Sequence, residues 1–133
     1  MNQPRAAEPA TVLQEVYTDL NRAKAIITRA IDQLPDGYIR LGLAEGEAAD
    51  ALAALRSAPS LSPTAVAKAQ VEADAVTGLS DEDIAPALDQ IATVAASAST
   101  SLVEGAGRSV LPADVLAFLN AALYVGRLRE QFE

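Results

Sequence analysis

Histidine and cysteine are both missing from the 133 residues. Without histidine the chain lacks the commonest general base, the usual zinc and haem ligand, and any phosphohistidine relay. Without cysteine it has no disulfide framework and no thiol nucleophile. Lysine occurs only as Lys24 and Lys68, and neither lies in a serine motif that would make a Ser-Lys pair. These absences predict a protein that is not an enzyme and carries no cofactor or metal.

Long apolar runs are missing too. The longest, 115–125, is interrupted by Asn120 and falls far short of a membrane span. The start, Met-Asn-Gln-Pro-Arg, has no basic region followed by an apolar stretch, so no secretory signal is read there. The expected location is the cytoplasm, away from membranes. Positive charge is scarce as well, with a net charge of −8. The excess acid falls within 36–107, where only Arg40, Arg56 and Lys68 are basic. Neither counterion release on nucleic acid nor attraction to anionic lipid is available to such a chain. Protein is the expected partner class, and the chain itself the first candidate.

Half the residues are apolar, but only five are aromatic: Tyr17, Tyr38, Phe118, Tyr124 and Phe132. Alanine supplies much of the rest, so contacts are close but individually small in area. Self-association would add burial. Abundant alanine, with arginine preferred over lysine, suits a GC-rich bacterial or phage genome.

The clearest pattern lies in residues 11–34. Leu13, Val16, Leu20, Ala23, Ile27, Ala30 and Leu34 alternate at spacings of three and four, an unbroken seam on one helix face. Val12, Tyr17, Ile26 and Ile31 widen it, while Gln14, Glu15, Asn21, Arg22, Thr28, Arg29 and Asp32 form the opposite face. A seam this wide predicts packing against two or more helices rather than one.

Residues 1–10 read as a mobile tail, with Pro9 suited to a first helical turn, and 11–133 as one helical domain. Pro35-Asp36-Gly37 closes the first helix. A second, over 38–57, buries Tyr38, Leu41, Ala48, Leu52 and Leu55. Gly42 and Gly46 predict either a close helix approach or a break in it. Ser62 and Pro63 open a third helix, with Val66, Ala69, Ala73 and Val76 inward and Gly78 as its stop.

Pro86 sets the expected start of the fourth. A helix capped by Ser80 would carry Pro86 beyond its first turn, so Asp83 is the expected cap and Ile84 the start of the main helix. Its seam is Ile84, Leu88, Ile91, Ala95, Ala98 and Leu102, and Gly105-Ala106-Gly107 is its expected end. Pro112 opens a last helix with Val115, Leu116, Phe118, Leu119, Leu123 and Tyr124 on nearly all sides. Such a helix is either central or at an interface between copies. The predicted fold is all-α, an up-and-down bundle of four to five helices with short loops.

Four constellations have residue types that could carry chemistry. Asp81-Glu82-Asp83 fails as a calcium loop, because Pro86 and Ala92 stand where glycine and glutamate are needed. Glu47 and Asp50 lack the second acidic motif and the histidines of a di-iron bundle. Gly105-Ala106-Gly107-Arg108-Ser109 lacks the lysine and spacing of a phosphate loop. Arg127, Arg129 and Phe132 form a basic-aromatic end that suits the helix dipole.

The leading expectation is a non-enzymatic assembly or adaptor protein that self-associates, a small structural component of a bacterial or phage assembly. The interface is read as Val115, Phe118, Leu119, Asn120, Leu123 and Tyr124, with Asn120 fixing register. The alternative is an acidic regulator whose 36–107 surface, with Glu45, Glu47 and Asp50, occupies a basic site on a partner. A third reading is a small-ligand cavity lined by the small residues of 92–101.

Overall fold

The computed structural model describes residues 8–33 and 38–132, apart from the side chain of Tyr38. Every regular element among them is helical. Six α-helices follow in order: α1 (Pro9–Gln33), α2 (Tyr38–Arg56), α3 (Pro63–Asp74), α4 (Asp81–Asp89), α5 (Ile91–Arg108) and α6 (Pro112–Glu130), with a 3-10 turn (Ala75–Gly78) after α3.

α1 is the central element and contacts α2, α3, α4 and α5. All of its predicted seam from Leu13 to Ala30 is buried, together with Val12, Tyr17 and Ile26; Leu34 lies outside the described residues. The breadth of the seam follows from that neighbourhood, since one face must meet four helices. Polar links fix the helix directions. Arg56 donates to the Tyr17 hydroxyl at 3.0 Å and Thr28 donates to Glu45, so α2 runs back along α1. Arg40 near the start of α2 donates to the carbonyl of Gln131, and Ser60 beyond its end donates to Asp114. α2 and α6 are therefore antiparallel too.

The helix count exceeds the expected four to five because the descending passage after α3 is broken in two. α4 begins at Asp81 with Ser80 as its cap, not at Ile84 with Asp83 as cap. Asp81, Glu82 and Asp83 occupy its first turn, where the helix dipole favours acids. Asp81 is further held by Arg29 and Gln33 at 3.0 and 2.6 Å. These gains carry the helix through Pro86, whose missing amide falls on an exposed face. The passage breaks a turn later, where the Gln90 amide closes onto the carbonyl of Ala87 at 3.1 Å, and α5 starts afresh.

Arg29 itself departs from the expected solvated face. Its guanidinium is half-buried and donates to the carbonyls of Val76, at 2.9 Å, and Leu79. It thereby satisfies backbone acceptors in the turn between α3 and α4. Gly42 and Gly46 neither break α2 nor bring a helix close, since both are exposed and a β-carbon on either would meet open space. Ser62 caps α3 as its sequence predicts, accepting from the Ala65 amide at 3.1 Å, with Pro63 in the first turn.

Gly105-Ala106-Gly107 does not stop its helix either. α5 runs on to Arg108, and the Ser109 hydroxyl donates to the Gly105 carbonyl at 2.8 Å, satisfying one of the free acceptors of the last turn.

Candidate interaction surface

α6 lies between α2 and α5, with which it makes the two most extensive helix contacts of the fold. Its buried stripe is Asp114, Ala117, Phe118, Ala121, Val125 and Leu128. The buried residues of its two neighbours are largely small as well: Ala44, Ala48 and Ala51 of α2 and Ala95, Ala98 and Gly105 of α5, with Gly105 directly against Phe118. Small residues let the helices approach closely, and that closeness leaves no inward room for more than a few large side chains. The leucines go outward. Leu116, Leu119 and Leu123 are 61%, 48% and 53% exposed and share one face at spacings of three and four.

The six residues read as an interface are thus divided. Phe118 is wholly buried, with its ring against Gly105, so it is a core residue and not a surface one. Val115 and Tyr124 are half-buried, and the Arg127 guanidinium sits 5.8 Å from the Tyr124 ring centre. Leu119, Asn120 and Leu123 face outward together. Leu116 belongs with them and was not singled out. The signal for it was present: Ala117, Ala121 and Val125 already mark the inward face at helical spacing, which puts Leu116 opposite them.

The two helices that flank α6 also carry exposed apolar side chains. Leu43 of α2 and Val103 of α5 are both more than half exposed. Because Gly105 meets Phe118 in an antiparallel pair, Val103 stands level with the middle of α6.

The three acids proposed as a surface do not converge. Glu45 accepts from Thr28 on the α1 side of α2, while Asp50 is exposed. Glu47 is half-buried, with its Oε2 enclosed and unpartnered, and lies roughly 160° around the helix from Glu45. No group of three acids that could hold a metal is present among the described residues.

The base of α6 is fixed by Asp114, which is buried and accepts from the Ser60 amide at 3.1 Å and from the Ser60 hydroxyl. This ties the α2–α3 connection to the first turn of α6, where a carboxylate also suits the dipole. No described helix is long and apolar enough to cross a membrane. Comparison with protein-family models, curated proteins and solved structures found no match.

Proposed function

We propose that the chain is a non-enzymatic assembly or adaptor protein that self-associates through the outer face of α6. One observation carries this reading: alanines face inward from α6 while Leu116, Leu119 and Leu123 face solvent. Exposed apolar side chains are ordinary when scattered, but three on one face of a single helix form a patch.

A second copy is the occupant that the spacing fits best. A seam at intervals of three and four is the narrow pattern that pairs with one other helix. In a two-fold arrangement centred near Leu119, Leu116 of one copy would meet Leu123 of the other, so the patch is complementary to itself. The absence of histidine and cysteine supports the non-enzymatic part of the reading. A small building block of a larger protein assembly is the role these properties suit.

Light scattering across a concentration series, at low and high salt, tests the proposal. A mass that rises to a fixed oligomer and is insensitive to salt is the expected result, because the contact is apolar. A monomer at every concentration would overturn it.

A further inference from the structure

A cleft of about 210 Å³ opens between α1 and the α4–α5 break, on a side of the molecule that the leucine face does not use. The break at Gln90 separates α4 from α5, and Ala23 and Ala87 present little bulk to the gap. Ile26 of α1 and Ile91 and Val94 of α5 complete an apolar lining, and Asp19, Arg22 and Gln90 stand at its rim. Of the stretch 92–101 only Val94 lines it; the small residues there do not, and Ala95 and Ala98 are buried.

We propose that this cleft binds a small apolar amine, with its hydrocarbon body against Ile26, Ile91 and Val94 and its ammonium on the Asp19 carboxylate. The volume is about seven times a water molecule's share of the liquid, which suits a compact ligand. An apolar cleft with few polar groups at its mouth is the usual form of a small-molecule site.

The charge around Asp19 selects the sign of the ligand. Glu15 and Arg22 lie on its own helix, and Lys68 and Glu72 of α3 line the adjoining groove. Two acids and two bases around a further carboxylate leave one negative charge in excess. Asp19 has no hydrogen-bond or ion-pair partner among the described residues. Asp19 is exposed at the rim, and the partial desolvation there, with Glu15 adding to it and Arg22 opposing it, raises its carboxyl above the ordinary value. A ligand ammonium would add to the partial counter-charge that Arg22 supplies.

The test uses benzylamine, benzyl alcohol and benzoate as probes, titrated against the full chain with methyl-labelled NMR. Benzylamine should give saturable shifts at the Ala23, Ile26, Ile91 and Val94 methyls, with about tenfold tighter binding than the alcohol. Asp19→Asn should bring the amine down to the alcohol's affinity and leave the alcohol unchanged. Ala87→Leu, which fills the cleft from α4, should abolish both. Tighter binding of benzoate would make the cleft an anion site on Arg22 and overturn the proposal. So would an Asp19→Asn variant that binds benzylamine normally, or the absence of saturable shifts with the amine.

Discussion

A β-carbon placed on Gly105 would lie 2.5 Å from Cε1 and 2.6 Å from Cζ of Phe118. Phe118 is wholly enclosed, so its ring cannot swing aside without displacing the core. Glycine is therefore required at this crossing of α5 and α6 by the closeness of the ring. The conformation is ordinary, since no described glycine adopts a positive φ.

Gly105→Ala should lower stability by about 1–3 kcal/mol through overpacking, despite alanine's better helix propensity. Gly46→Ala is the control, because its β-carbon meets open space in the middle of α2. That change should raise stability by about 0.5–1 kcal/mol. Urea unfolding of the two variants checks both signs, and equal effects would show that the ring does not constrain Gly105.

The all-helical class and the α1 seam were legible because they rest on spacing, and spacing survives any arrangement of neighbours. The start of α4 at Asp81 was not, because Asp81 is held by Arg29 and Gln33, more than 45 residues away. A proline rule applied locally weighs the lost hydrogen bond but not those distant gains. The α6 surface was half legible. Its apolar content was plain, but alanines outcompeted leucines for the inward face, and that reversal follows from the close approach of α2 and α5. Gly105-Ala106-Gly107 looked like a helix stop for the same reason: the ring that needs the glycine is on another helix.

Asp114 should be a point of high sensitivity. It is buried, and its two carboxylate oxygens accept from the amide and hydroxyl of Ser60. Asp114→Ala strands a part-buried amide as well as losing both bonds, for an expected loss of about 2–3 kcal/mol. Ser60→Ala keeps the amide donor and should lose about 1 kcal/mol. Thermal melts of the two variants should show that order, and a larger loss for Ser60→Ala would mean the amide contact contributes little.

Asp19 makes stability depend on pH in a stated direction. Partial desolvation, reinforced by Glu15 and opposed by Arg22, raises its carboxyl above the ordinary 3.8, so between those values the folded chain holds the proton more tightly than the unfolded chain. Stability from this group is full below 3.8 and is lost as the pH rises through the raised value. Asp19→Asn should therefore stabilise the protein at pH 7 relative to the parent, and that advantage should vanish below the ordinary value. Paired urea melts at the two pH values measure the difference directly, and an advantage independent of pH would sink the assignment.

The leucine face predicts a separation between folding and assembly. Leu119 is 48% exposed within one chain, so Leu119→Glu should change the monomer's stability by no more than about 0.5 kcal/mol. Its effect should fall on association: the mass becomes that of a monomer, and the melting temperature stops rising with protein concentration. Asn120 stands beside Leu119 on the exposed side of α6, where a polar side chain restricts the registers an apolar seam can adopt. Asn120→Leu should then raise the melting point and broaden the distribution of masses, because the seam gains area and loses its register mark. If Asn120→Leu left the mass unchanged and lowered the melting point, Asn120 would be an ordinary solvated residue. If Leu119→Glu unfolded the chain outright, the face would be internal to the fold, and a second copy would not be its occupant.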